Sequence, residues 1–317
     1  MRCIRSHTTD PYFNLAAEEY LLKQNDGAIY FQYVNDPAVV IGKHQNALAE
    51  IDDCYLGEQG IALARRISGG GAVYHDGGNL NFSFITNESP GDFVKFKKYT
   101  APAIAALREL GVDAFLGKRN EILTSSGKVS GSASHVFKSR VLHHGTLLFD
   151  ADLERLGRCL YVDPVRYMDK AVKSVRSEVV NIRGLLETDM GREEFYDFIF
   201  RHIVASGESH VDDGFTHSEE EAIGALSRSK FASWEWNYGY SPKYTVEREL
   251  KGLRIVTTVE KGKIVDLDFD ATGLNEMDPA LLHRTLTGTR HDRFAVRTKL
   301  LEQYDEALTG AILDVLF

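Results

Sequence analysis

Between positions 65 and 79 the chain reads Arg65-Arg66-Ile67-Ser68-Gly69-Gly70-Gly71-Ala72-Val73-Tyr74-His75-Asp76-Gly77-Gly78-Asn79. Three consecutive glycines let backbone N–H groups approach a bulky anion, because no Cβ obstructs them and positive φ is free of strain. The two arginines add planar donors suited to carboxylate or phosphate oxygens. Their place directly after the apolar run 61–64 puts them at a strand end. The run is neither a GxxxxGK(S/T) phosphate loop nor a GxGxxG fingerprint, since Tyr74 stands at the last glycine position. By spacing alone, a flexible glycine hairpin and an anion-binding loop are even readings.

Three further segments carry usable chemistry. In Gly127-Lys128-Val129-Ser130-Gly131-Ser132-Ala133 a lysine opens a strand and is followed by small residues, so its charge can extend into a cleft with a low floor. In Arg140-Val141-Leu142-His143-His144-Gly145-Thr146-Leu147-Leu148 the adjacent histidines point to opposite faces of a strand and make a poor metal pair. The segment Lys170-Ala171-Val172-Lys173-Ser174-Val175-Arg176-Ser177-Glu178-Val179, with Arg166 and Arg183, is the densest basic stretch. It reads as a solvated loop or as a cover for an anionic ligand.

The elements that must position these residues follow from periodicity. Asn14 is expected to cap a helix over LAAEEYLLKQ, with strands over 28–34 and 38–41 parted by the turn Asn35-Asp36-Pro37. Around residues 79–84, Asn79, Asn81 and Ser83 alternate with Leu80, Phe82 and Phe84, so one strand face is polar. Thr100, Pro102 in the first turn and Gly111 bracket a helix over 101–110. Strands are expected over 121–124, 128–133 and 245–260, and helices over 152–160, 192–205 and 218–226. Aromatics and turn formers around Trp234-Glu235-Trp236 mark a junction near Pro242, giving domains 1–242 and 243–317.

Composition bounds the function. The 317 residues carry 46 acidic against 37 basic side chains, a net charge of −9, which argues against a general nucleic-acid binder. No stretch approaches the ~18 apolar residues of a membrane span, and the first residues lack a secretory apolar core, so a cytoplasmic protein is expected. Cys3, Cys54 and Cys159 are widely spaced and form no CxxC pair.

The runs RRISGGGAVYHDGGNLNFSF, GKVSGSA, RVLHHGTLL and KSVRSEVVNI, in this order, resemble lipoate–protein ligases. The resemblance implies an α/β (α+β) fold: a large domain with a mixed β-sheet flanked by helices, like biotin ligases and class II synthetases, plus a small C-terminal α/β domain. It implies ATP and Mg²⁺ as cofactors, and activation of lipoate, with octanoate a possible alternative, to an acyl-adenylate. The acyl group then passes to a lysine on lipoyl domains of 2-oxoacid dehydrogenase acyltransferase subunits or on the glycine-cleavage H protein. A monomer is expected. Carried over by resemblance, Lys128 is the catalytic residue. Arg66, Gly71, Ala72, Val73, Tyr74, Lys128 and Lys173 meet the nucleotide. Lipoate falls to Arg65, Arg66, Ser68, Gly69, Gly70, His75, Asn81, Ser132, His144 and Thr146, and Mg²⁺ to Asn120 and Glu121. Apolar Leu15, Ala17 and Val40 would line the path of the acyl tail. The chain departs from the family pattern at Gly117-Lys118-Arg119-Asn120-Glu121, where Gly-Arg-Asn-Asp is usual, and at Lys170-Ala171-Val172-Lys173, which lacks a glycine.

Two other functions fit parts of the sequence. A transferase of the same fold would work through a cysteine thioester without ATP, which requires an activated thiol. A non-catalytic protein would hold a nucleotide or acyl-adenylate. Cys159 falls with Leu153, Leu156 and Leu160 on one helical face and reads as core.

Overall fold

The computed structural model describes residues 1–317 except 25, 89–94, 163–166, 176, 207–208, 213, 251–252 and 271–277. The chain forms two compact units. The first takes Met1–Lys43, Asp52–Leu160 and Ser174–Ser233; the second takes His44–Ile51, Tyr161–Lys173 and Trp234–Phe317.

In chain order the strands are β1 (Arg2–Arg5), β2 (Ile29–Val34), β3 (Ala38–Ile41), β4 (Ala62–Arg65), β5 (Val73–His75), β6 (Asn79–Asn87), β7 (Phe115–Leu116), β8 (Ile122–Thr124), β9 (Gly127–Ser130), β10 (Ser132–Phe137), β11 (Arg140–Leu148), β12 (Tyr167–Asp169), β13 (His210–Asp212), β14 (Tyr244–Leu250), β15 (Leu253–Glu260) and β16 (Lys263–Asp270). The helices are α1 (Pro11–Gln24), α2 (Asp53–Gln59), α3 (Phe96–Glu109), α4 (Leu153–Cys159), α5 (Arg192–Ala205), α6 (His217–Leu226), α7 (Pro279–Leu286), α8 (Arg293–Leu300) and α9 (Glu306–Leu316).

In the first unit a mixed six-stranded sheet runs β10-β11-β6-β2-β1-β13, with β1 parallel to β2 and β13 and the other pairs antiparallel. The alternation read in β6 divides this sheet's faces. Leu80, Phe82 and Phe84 pack into an apolar core with Ala103, Ala106 and Leu107 of α3 and Phe195, Ile199 and Ile203 of α5. Burying each such phenylalanine contributes about 1.5–3 kcal/mol. Asn79, Asn81 and Ser83 point to the opposite face, toward α1, and are equally buried.

Two small sheets carry the site segments: β4-β3-β5, with β3 parallel to β4 and antiparallel to β5, and the antiparallel β7-β8-β9. The second unit holds the antiparallel sheet β12-β14-β15-β16, and its core joins Ile255 and Val259 to Leu282, Val296 and Leu313 of the last three helices.

Several expected boundaries move. The first helix begins at Pro11, so Asn14 is not a cap but an interior residue. Its side chain donates to Asn35 Oδ1 at 2.9 Å and to the Thr8 carbonyl at 3.0 Å. Helix α3 starts at Phe96, leaving Pro102 inside it, because burial of Tyr99 and Thr100 favours one more turn than local caps suggest. The strand expected over 128–133 breaks at Gly131 into β9 and β10. The long strand expected over 245–260 is a hairpin, β14–β15.

Candidate functional site

The glycine loop leaves β4, which runs parallel to β3 with Arg65 opposite Ile41. Arg65 is fully buried and donates to the carbonyls of Gly42 and Lys43. Arg66 turns back into its own loop. Its guanidinium donates to Val40 O at 2.9 Å, to Gly69 O and Gly71 O at 2.7 Å, and to Ser68 Oγ at 3.1 Å. These bonds pull the loop carbonyls inward. Gly70 sits at φ +93°, in the left-handed region that favours glycine. A Cβ on Gly42 would stand 2.1 Å from Gly70 O, so the loop also needs a glycine on the neighbouring chain segment. Burial lowers the Arg66 pKa to about 10, opposed by the negative charge of Glu18.

Beneath the loop lies a polar seam that no local motif announces. Glu18 of α1 is fully buried and accepts hydrogen bonds from Ser83 Oγ, from Tyr33 OH at 3.1 Å and from His144 Nδ1 at 2.9 Å. His144 holds Nε2 2.7 Å from Ser68 Oγ. Burial alone would push the Glu18 carboxyl up, yet His144, Ser83 and Tyr33 together hold it below its ordinary value. The seam therefore keeps an ionised carboxylate under the buried guanidinium of Arg66. A second branch runs from Asn14 through Asn35, whose Nδ2 donates to His75 Nδ1 at 2.9 Å. Burial, with Arg66 and His144 nearby, drops the His75 pKa to about 3. Its Nε2 and the Oδ1 of Asn79 have no partner among the described residues.

Lys128 approaches from β9. Strand β11 carries the link: it holds His144, and two residues on, Thr146 Oγ1 accepts from Gly131 N at 3.2 Å while Thr146 N donates to Gly131 O. A Cβ on Gly131 would stand 3.4 Å from Lys128 Nζ, so the missing side chain leaves room for that amine. A second link is the segment after Ser174. Ser174 Oγ accepts from Ala72 N at 2.8 Å, and Glu178 O accepts from Lys128 N at 3.1 Å. Four residues of extended chain span at most about 14 Å, so the glycine loop and Lys128 are held close together. Burial lowers the pKa of the Lys128 ammonium, opposed by Glu121.

A family model described as the lipoyl protein ligase A/B catalytic domain matches residues 10–204. Lipoate–protein ligase 1 of Staphylococcus aureus is 40% identical over 307 residues, spanning 95% of this chain and 93% of that protein. The chain belongs to the lipoate–protein ligase family. Two solved structures share its fold with a TM-score of 0.64 and 28% identity, each covering 75% of this chain and 98% of the other. One is a putative lipoate protein ligase from T. acidophilum with bound lipoic acid. The other is a lipoate–protein ligase A bound with ATP.

Within this ligase the segments singled out in the sequence take definite places. Ser68 and His144 are hydrogen-bonded, while Gly69, Gly70, Gly71 and Ala72 form the loop fastened by Arg66 and Ser174. Val73, Tyr74 and His75 form β5, and Asn81 donates to Tyr33 O. Ser132 opens β10 with a buried Oγ that has no partner among the described residues. Lys173 lies exposed in the second unit, whereas Arg166 and Arg176 fall outside the described residues. Asn120 sits in a tight turn at φ +65°. Glu121 is 7% exposed, and its Oε2 lacks a partner among the described residues. No cluster of three or more His, Cys, Asp or Glu able to hold a metal occurs among the described residues.

Glu18 and Gly42 were not among the residues read as site-forming, and Ser174 entered only as part of the basic segment 170–179. Glu18 sits in the ordinary helical run AAEEY, and only burial of a carboxylate at that position would have singled it out.

Proposed function

We propose that this ligase activates lipoate with ATP and transfers the lipoyl group to a lysine of a lipoyl domain. The observation that carries the reading is the desolvated Lys128 amine, tied through β11 and through the segment after Ser174 to a glycine loop rich in backbone N–H groups. In the first half-reaction a lipoate carboxylate oxygen attacks the α-phosphorus of ATP. The bond from that phosphorus to the bridging oxygen breaks, and pyrophosphate leaves. Charge builds on the non-bridging oxygens, where a fixed cation stabilises the transition state more than the ground state. In the second half-reaction a neutral lysine amine attacks the acyl carbonyl, AMP departs with the carbonyl–oxygen bond electrons, and the amide nitrogen sheds its proton to water.

The buried Glu121 Oε2, without a partner among the described residues, suits a hard cation, and Asn120 beside it offers a second oxygen. A Mg²⁺ held there would neutralise phosphate charge. The cysteine route has less support. Cys159 is buried, and burial pushes its thiol up to about 11, which leaves little thiolate.

The test is pyrophosphate release in the presence of ATP, lipoate and an unlipoylated lipoyl domain, with acceptor mass measured in parallel. The ligase reading requires ATP-dependent acceptor modification. Modification without ATP would point to the thioester transferase, and tight nucleotide binding without turnover to a non-catalytic protein.

A further inference from the structure

We propose that the outer edge of β10, with the lysines beside it, is the docking surface for an acidic acceptor domain; this rests on the acyl-transfer reading above. Strand β10 ends the six-stranded sheet and pairs only with β11 among the described strands. Its sequence, SASHVF, holds no lysine, proline or carboxylate, the residues that usually blunt an open edge against pairing with another chain. Val136 on it is 38% exposed. The edge also leads to the reacting centre, because β10 begins directly after Gly131, against which the Lys128 amine lies.

Charge selects the occupant. Lys23, Lys43 and Lys230 all act electrostatically on His135 at the middle of β10, together with Glu19. Glu19 is 4% exposed, with Lys23 and Lys230 each 2.5 Å from its carboxylate. At the far end of the strand, Lys138 and Lys23 lie 5.3 and 5.4 Å from the Phe137 ring centroid. Four lysines thus lie beside this strand, on a chain whose net charge is −9. Lys23, Lys43 and Lys230 come from other segments and Lys138 from the turn after the strand, so none of them lies within β10. A partner with acidic residues around its target lysine matches both features, and pairing along β10 would deliver that lysine toward the Gly131 end. A small patch on an acidic chain suits a protein surface better than nucleic acid.

Two full-length variants test this: the double substitution Lys23→Gln/Lys138→Glu, and Val136→Asp, which places a negative charge on the edge. Each is assayed for lipoate-dependent ATP–pyrophosphate exchange without acceptor, and for transfer to an acidic unlipoylated lipoyl domain at low and high salt. The expected result is exchange within about twofold of wild type, with acceptor KM raised about tenfold and less dependent on salt, as for charges at an interface rim. Unchanged acceptor KM in both variants would overturn the proposal. So would wild-type dimerisation in sedimentation that Val136→Asp abolishes, because a second copy would then own the edge. Loss of exchange in the wild-type enzyme would instead strike at the adenylation reading.

Discussion

Glu18→Gln keeps the side chain's shape and removes its charge. The structure sets the cost. Glu18 is 0% and Arg66 6% exposed, and the carboxylate is the leading favourable charge acting on that guanidinium. Glu18 and Arg66 make no direct ion pair, but removing one buried charge on which another relies costs up to about 3–5 kcal/mol, because the remaining charge stays desolvated. Ser83, Tyr33 and His144 also exchange a charged acceptor for an amide, one end of which donates. The first unit should therefore lose up to about 3–5 kcal/mol. Urea unfolding resolves it, because both tryptophans, Trp234 and Trp236, lie in the second unit. Fluorescence follows that unit, while circular dichroism follows both. The variant's dichroism transition should move to lower urea and its fluorescence transition should hold. The sign with pH follows from the lowered Glu18 pKa. The stabilisation is present above the unfolded carboxyl value and fades as pH falls through the folded one, so wild type and variant should converge below about pH 4. A loss under about 1 kcal/mol at neutral pH would refute a buried ionised carboxylate supporting Arg66.

Other expectations follow from the same geometry. Lys128→Ala should cut lipoate-dependent ATP–pyrophosphate exchange about 10²–10³-fold, or about 2.7–4 kcal/mol, with an unchanged melting temperature; near-normal exchange would remove Lys128 from the chemistry. Gly42→Ala sets a Cβ 2.1 Å from Gly70 O, a backbone atom that must shift. About 1–3 kcal/mol of destabilisation should accompany loss of exchange, and full activity would show that the loop's shape is dispensable. His75, with its pKa depressed to about 3, is buried neutral. Its contribution should grow as pH rises from about 3 to 6.5, by up to about 1.4 kcal/mol per unit. His75→Gln should flatten that slope in pH-dependent melts, and an unaltered slope would place the titration elsewhere. Ser174→Ala removes the acceptor for Ala72 N and should raise proteolytic cleavage of the basic segment; unchanged cleavage would show that other contacts hold it.

Much of this protein was decided locally. The alternation Asn79, Asn81, Ser83 against Leu80, Phe82, Phe84 gave β6 two faces before any fold was known, and the observed sheet buries the apolar one against α3 and α5. The triple glycine and the paired arginines marked the loop, since backbone approach and positive φ at Gly70 need residues without Cβ. The adjacent histidines were read as pointing to opposite strand faces, and they do, but neither faces outward: His144 meets Glu18 and Ser68, while His143, also buried, stacks on Tyr99. Helix starts were less legible, because burial of Tyr99 and Thr100 extended α3 back past its local start signals.

What the sequence could not state is which side chains meet across distances of tens of residues. Glu18, Ser68, Ser83 and His144 come from α1, the glycine loop, β6 and β11, and nothing in their spacing marks them as partners. Arg66 read as a donor for a ligand, and in the fold its guanidinium also donates to the carbonyls of Val40, Gly69 and Gly71. The physical reason is desolvation. A buried charge must find partners wherever packing brings them, so local pattern fixes strand faces and turn residues, while the assembled interior decides which polar groups become a site.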